Sequence, residues 1–243
     1  MKTVHFVRHG ETEQNKDGIW QGHTNTQLSK TGKAQAKLLS KRINLKNQTV
    51  FTSDLARAKE TAYFLSDSPN VRENLREINV GDFTGKSVKE TYSNNLDIFD
   101  ALQYDTYVFP NGESVQEFKL RVQKEVDHIF DNIDEDSECV VVTHGFFIGT
   151  AIGLVLGFNQ YPYPIGNIQN TSISTVIKRD SVMQVNKFND AIHLPNSYID
   201  YPAKDKSRIL TFIRHGQTDS NTQGVWQGHV DNPLNTYGVE TAK

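Results

Sequence analysis

Arg8, His9 and Gly10 stand together just after a short run of β-branched and aromatic residues, Val4, Phe6 and Val7. That run reads as a buried strand, and Gly10 ends it one residue after the histidine. In an open α/β sheet, ligands sit at the carboxyl ends of strands, so Arg8 and His9 are expected at the rim of a pocket. Gly10 has no Cβ and lets an anion come close to the backbone. The planar guanidinium of Arg8 matches phosphate oxygens two at a time. A neutral His9 carries a ring-nitrogen lone pair that can attack phosphorus and hold the phosphoryl group covalently. Thr12 and Asn15 add uncharged donors a few residues on. The plainer alternative is a rim histidine held by a neighbour.

The same grammar returns at 138–145, where Val140, Val141 and Val142 lead into His144 and Gly145. Two strands ending in His-Gly in one sheet can bring His9 and His144 to one phosphate. Between them, 49–52 reads as a strand and 53–62 as a helix, with Ser53 or Asp54 as its cap. Arg57 falls in the first turn of that helix, where its charge and the N-terminal dipole can both face an anion. Ester hydrolysis also needs a proton for the leaving alkoxide, and a carboxylic acid beside the phosphate supplies one. Burial and the phosphate charge both raise such an acid's pKa. The stretch 75–85 carries a carboxylate of this kind, Glu77, ahead of Gly81. The competing thought is a metal held by His9, His23 and His144. Those three are not spaced as ligand pairs on a helix, so no metal is expected.

Other segments must position these groups. A helix is expected from Thr31 to Ile43, with Ala34, Leu38 and Leu39 as its apolar face. The loop 16–28 is glycine-containing, with Trp20 as a packed anchor. Leu96, Ile98, Phe99 and Leu102, then Tyr104, Tyr107 and Phe109, read as core rather than as ligand contacts. Ser114 and Glu117 form a capping box for a helix to Asn132, whose buried face is Val115, Phe118, Val122, Val126, Ile129 and Phe130. The apolar run to Phe158 is a buried helix, too short and glycine-broken for a membrane span. Closing strands are expected at 172–178 and 182–188.

Several of these strings together resemble the signature of the histidine phosphatase superfamily, also called phosphoglycerate mutase-like. They are Arg8-His9-Gly10-Glu11-Thr12 with Asn15, then Ser53, Leu55, Arg57, Ala58 and Thr61, and then Leu75, Glu77, Gly81, Phe83 and Gly85. Gly112-Glu113-Ser114 and His144-Gly145 complete the set. The resemblance implies an α/β fold, a three-layer α/β/α sandwich with a mostly parallel central sheet. It implies hydrolysis of small-molecule phosphate monoesters through a phosphohistidine on His9, without metal or other cofactor. Arg8, Arg57 and His144 become phosphoryl clamps and Glu77 the proton donor. Thr12, Asn15, Gln21, Gly22 and Gly145 join Arg8, Arg57 and His144 as substrate or phosphate contacts. The 87–109 insertion would roof the pocket and select the alcohol. A phosphoglycerate mutase of this family carries an adjacent arginine pair for the substrate carboxylate, and no Arg-Arg occurs here. A pocket that binds phosphorylated ligands without turnover is the rival from another class.

At 243 residues and 36% hydrophobic, the chain can bury one sizeable core. Net charge of −3 gives no global attraction for nucleic acid or an anionic membrane. The expected partner is therefore a small phosphorylated metabolite, and nothing indicates an oligomer. A single cysteine, Cys139, and an opening without a signal-peptide pattern lead to the expectation of a cytoplasmic protein. The organisation expected is a histidine phosphatase domain at 1–194, a polar linker at 195–207 and a truncated second copy at 208–243. That last stretch repeats 4–37 without a gap, identical at fifteen of thirty-four positions. Arg214, His215, Thr218, Asn221 and Gln227 correspond there to Arg8, His9, Thr12, Asn15 and Gln21.

Overall fold

The computed structural model of the chain describes residues 1–43, 48–94, 106–158, 167–195 and 214–242. The chain divides into two compact units, Met1–Ile199 and Asp200–Lys243. In the first unit β1 (Lys2–Arg8), β2 (Thr49–Ser53), β3 (Asn70–Arg72), β4 (Glu138–Thr143), β5 (Ile173–Arg179) and β6 (Val182–Asp190) share one sheet. Its order is β3-β2-β4-β1-β5-β6. β3, β2, β4 and β1 are mutually parallel, while β5 runs antiparallel to β1 and β6 antiparallel to β5. The sheet is mixed and mostly parallel, as the resemblance implied.

The described helices of this unit are α1 (Glu13–Lys16), α2 (Lys30–Arg42), α3 (Ala56–Tyr63), α4 (Val88–Asn94), α5 (Val115–Asn132) and α6 (Gly145–Val155). Side chains alternate across a strand, so a buried strand feeds two cores at once. Val4 and Phe6 of β1 and Cys139 and Val141 of β4 pack with Phe118, Val122 and Ile129 of α5 and Phe147 and Ile148 of α6. Val7, Val140 and Val142 pack on the other face with Leu39 of α2 and Ala58 and Ala62 of α3. This makes three layers. The α5 face matches its expected residues, and Ser114 and Glu117 form the expected capping box.

Two local expectations are corrected. In α2 the buried residues are Gly32, Ala36 and Leu39, and Ala34 is exposed. The helix starts one residue early, capped by Ser29, and Gly32 faces the loop after β1. In α3 neither Ser53 nor Asp54 is the cap: Ser53 ends β2 and the N-cap is Leu55. The Ala56 N–H is met instead by Asn25 Oδ1 at 2.9 Å, and Asp54 pairs with Arg76. A cap from a distant loop leaves no local pattern. Leu96, Ile98, Phe99, Leu102 and Tyr104 lie outside the described residues. Of their neighbours, Phe109 is buried in the core and Tyr107 packs edge-on against it.

The loop after β1 is docked from two sides. Gly10 N–H donates to Thr61 Oγ1 of α3, and Glu11 N–H to Gln35 Oε1 of α2. Backbones meet at Gly10 and Gly32, where a Cβ on Gly32 would lie 2.1 Å from the Glu11 carbonyl oxygen. Gly32→Ala gains at most about 1 kcal/mol of helix propensity. It forces backbone apart at the turn that carries His9, an overpacking cost of about 1–3 kcal/mol or more. Loss is expected to win, so a lower urea midpoint together with reduced turnover should be measured. An unchanged midpoint would contradict this packing.

The second unit is described at 214–242, with α7 (Asp219–Thr222) and α8 (Thr236–Thr241). The linker stretch 196–207 and residues 208–213, which open the repeat, lie outside the described residues. Local features of the first unit recur: Thr218 and Asn221 form the same capping box as Thr12 and Asn15. Gly216 and Gly238 meet as Gly10 and Gly32 do. Burial recurs at Thr218 and Gly238 but not at the tryptophan. Trp20 is 7% exposed, while Trp226 is 97% exposed.

Candidate active site

Register brings the two histidines together. β1 and β4 are neighbours with Arg8 opposite Thr143, so His9 and His144 are the next residues on adjacent strands. Their rings stand edge to face with centroids 5.1 Å apart. β2 lies on the other side of β4, and α3 follows it, which delivers Arg57 to the same edge. The three strand ends converge at the crevice where chain connections leave β1 and β4 in opposite directions, the usual place for a ligand.

His9 is buried, and its Nδ1 lies 2.7 Å from the Gly10 carbonyl oxygen. A carbonyl only accepts, so Nδ1 carries the proton and Nε2 holds the lone pair. Arg57 Nε–H donates to that same Nε2 at 3.2 Å, which agrees with the assignment. Burial, then the Arg57 and Arg8 charges, push the His9 pKa well below its ordinary value. The ring is neutral at physiological pH. His144 is fully buried as the N-cap of α6, and burial with the charges of Arg57 and Arg8 keeps it neutral too.

Arg57 is almost wholly buried, yet among the described residues its donors meet only neutral acceptors. Besides His9, Nη1 donates to the Thr24 carbonyl at 2.8 Å and Nη2 to the Gly22 carbonyl at 2.8 Å. Burial lowers its pKa to about 10, which leaves it cationic at neutral pH. Arg8 Nη1 donates to the Ile168 carbonyl. Arg8 Nε and both ring nitrogens of His144 are buried with no hydrogen-bond partner among the described residues. Buried charge is costly unless paired, and buried donors are costly unless bonded. Two guanidinium groups with no bonded carboxylate among the described residues therefore make this crevice a place for an anion.

Glu77 lies in an irregular segment between β3 and α4. Its Oε1 accepts from its neighbour Ile78 N–H at 3.0 Å, and its Oε2 from Phe146 N–H in the first turn of α6 at 3.2 Å. Burial raises its pKa, and those two hydrogen bonds and the two arginines oppose the rise without cancelling it. A carboxyl held this way can exist as the acid at higher pH than a free one.

The remaining expected contacts fall in several places. Thr12 is fully buried; its hydroxyl accepts from Asn15 N–H in the α1 cap and lies within hydrogen-bond distance of both Asn15 Oδ1 and Gln21 Oε1, with one proton to give to either. Gln21 Oε1 also accepts from Thr26. Gly22, at φ +45°, turns the loop so that its carbonyl orients Arg57. Gly145 lies beside Arg8, and a Cβ there would sit at an ordinary contact distance of 3.5 Å from Arg8 Nε. Trp20 packs against Phe109 and Phe146, the anchor expected. No motif marks Asn170, yet its Nδ2 donates to the His9 carbonyl at 2.9 Å, bracing the loop from the β5 side. A lone polar residue before a strand carries no signal. Among the described residues, no group of three or more His, Cys, Asp or Glu side chains is placed to hold a metal ion. No described helix is long and apolar enough to cross a membrane.

Against known proteins, the model of the histidine phosphatase superfamily, branch 1, matches residues 4–191 and again 210–243. A protein from an Enterobacter species named probable phosphoglycerate mutase GpmB is 28% identical over 213 residues, 85% of this chain and 99% of that one. A metal-independent phosphoserine phosphatase from Arabidopsis thaliana is 30% identical over 199 residues, 78% of this chain and 82% of that one. Among solved structures, a phosphoserine phosphatase mutant from Entamoeba histolytica in complex with phosphoserine is similar at a TM-score of 0.72. It is 28% identical, and the match covers 80% of this chain and all of that one.

Proposed function

Because this chain belongs to the histidine phosphatase superfamily, we propose that it hydrolyses small phosphate monoesters through a phosphohistidine on His9 Nε2, with no metal ion in the reaction. One observation carries the reading. A neutral imidazole with its lone pair at Nε2 sits against two arginines that no carboxylate among the described residues pairs, beside a histidine whose nitrogens have no partner among those residues. Phosphoryl transfer is mostly positioning and charge stabilisation, and these are groups that do both. An incoming phosphoryl oxygen competes for the Arg57 Nε–H and frees the Nε2 lone pair. Nε2 attacks phosphorus and the ester P–O bond breaks, the leaving alkoxide taking the Glu77 proton. Glu77, now a carboxylate, takes a proton from water as that water breaks the P–N bond. Phosphate leaves and the Nε2 lone pair is restored. Arg8, Arg57, His144 and Asn15 hold the phosphoryl oxygens. The segment 208–243 repeats the domain's opening, and nothing within it corresponds to Arg57, Glu77 or His144, so it holds no complete site of its own.

Phosphoserine is the first substrate to try, given the names of two of the compared proteins. The test is phosphate release from phosphoserine and from nitrophenyl phosphate across pH. His9, with its lowered pKa, stays a nucleophile into the acid range. The raised pKa of Glu77 keeps its proton above the ordinary carboxylate range, and that proton is lost as pH climbs through it. Phosphoserine turnover should therefore peak on the acid side and fall as pH rises, whereas the aryloxide needs no proton and its turnover should not share that fall. Glu77→Gln should abolish the fall and cut phosphoserine turnover by about 10²–10⁴-fold. A fall common to both substrates removes Glu77 as the acid. Isomerisation of phosphoglycerate without phosphate release would favour the mutase reading.

A further inference from the structure

Glu77 has no ladder or helix to hold it, since residues 76–80 form no regular element. One guanidinium supplies what the backbone lacks. Arg121 Nη1 donates to the carbonyls of Asn74 and Arg76, both at 2.8 Å, and Nη2 donates to the Glu77 carbonyl at 3.2 Å. The same fork closes on Glu113, with Nε to Oε1 at 2.9 Å and Nη2 to Oε2 at 2.8 Å. Glu113 Oε2 in turn accepts from Asn79 N–H, and the Glu113 N–H donates to the Asn79 carbonyl. The chain is thus gripped on both sides of Glu77 by one ion pair.

The pair is itself well anchored. Arg121 projects from α5 and stacks over the Phe118 ring at 4.9 Å, next to a buried helix face. Both partners are largely buried, so solvent screens the pair less than a surface pair. His23 adds a second donor, Nε2–H to the Glu77 carbonyl at 2.8 Å. Burial, and then the charges of Arg121 and Arg76, keep that ring neutral. Neither Arg121 nor Glu113 touches the crevice groups His9, His144, Arg8 or Arg57 in any described hydrogen bond or ion pair. Their connection to the site runs through the main chain of Glu77.

We propose that Arg121, held by Glu113, is a positioning residue for proton transfer by Glu77, an inference that rests on Glu77 being the acid. It sets where the carboxyl stands relative to the leaving oxygen and does not contribute to holding phosphate. A misplacement of about 1 Å costs up to about 10²-fold in rate, and the loss should be largest where the leaving oxygen needs a proton, the water-activating step being common to all substrates.

The test uses the full chain and compares kcat on phosphoserine and nitrophenyl phosphate with inhibition by vanadate. Arg121→Met is expected to lower kcat on phosphoserine by about 10–100-fold, with a far smaller change on nitrophenyl phosphate and unchanged vanadate inhibition. Arg121→Lys, which keeps the charge but not the fork, should recover part of the loss. In a Glu77→Gln background Arg121→Met should add little, because the group it positions has gone. If Arg121→Met does not fold, Glu113→Gln should give the same selectivity at smaller size. Equal losses on both substrates, weakened vanadate inhibition, or full additivity with Glu77→Gln would overturn the proposal while Glu77→Gln itself stays selective. An unselective Glu77→Gln would overturn the acid assignment, and the positioning role with it.

Discussion

His9→Ala is expected to lose at least about 10⁴-fold in turnover, the scale on which removing a covalent nucleophile acts. The fold should survive. The ring's own bonds are to the carbonyl of the next residue and to Arg57, and its ring neighbour is His144. Removing it leaves a buried Arg57 N–H without its acceptor, a cost of about 1–3 kcal/mol. Such a loss lies within the stability of a domain with two cores. Steady-state turnover together with a urea titration separates the two effects. A folded His9→Ala protein that keeps several per cent of activity would remove the nucleophile from His9.

Arg57→Ala should cost about 10³-fold or more, in the range of a cation that stabilises a transferring phosphoryl group. Three roles end together: a buried positive charge, the hydrogen bond to His9 Nε2, and the grip on the Gly22 and Thr24 carbonyls. Arg57→Lys keeps charge without the fork and should fall between. A second consequence has a definite sign. After burial, the Arg57 charge is the largest influence lowering the His9 pKa, so its removal raises that pKa toward the ordinary value. The ring then protonates at higher pH, and the acid limb of residual activity should move upward in pH. NMR titration of His9 reads the same shift. An acid limb that stays in place would mean that Arg57 does not face the nucleophile.

The range of each interaction decides which features the sequence makes legible. β1 and β4 are readable because buried parallel strands are continuous apolar runs, and a histidine followed by glycine marks each end. The α5 cap and face are readable because both are periodic within one helix. The α3 cap is not, since Asn25 reaches it from another loop. Asn170 and Arg121 escape notice for the same reason: each acts on backbone far away in sequence. The second unit makes the division plain. Thr218, Asn221, Gly216 and Gly238 reproduce the loop of the first unit from local sequence alone, and His215 Nδ1 stands 2.7 Å from the Gly216 carbonyl oxygen as His9 does from Gly10. Yet Trp226 is exposed where Trp20 packs on Phe109 and Phe146. A motif shapes a loop, and the site needs Arg57, Glu77 and His144 from three later segments.

The covalent step is open to direct inspection. Enzyme turning over phosphoserine can be quenched in alkali within a single turnover and digested, and its peptides examined by mass spectrometry and phosphorus NMR. The expected product is one acid-labile phosphoryl group on His9, at Nε2, because Nδ1 is engaged with the Gly10 carbonyl. None is expected on His144 or His215. A phosphoryl group on any other residue, or His9 unmodified through successive turnovers, would contradict it.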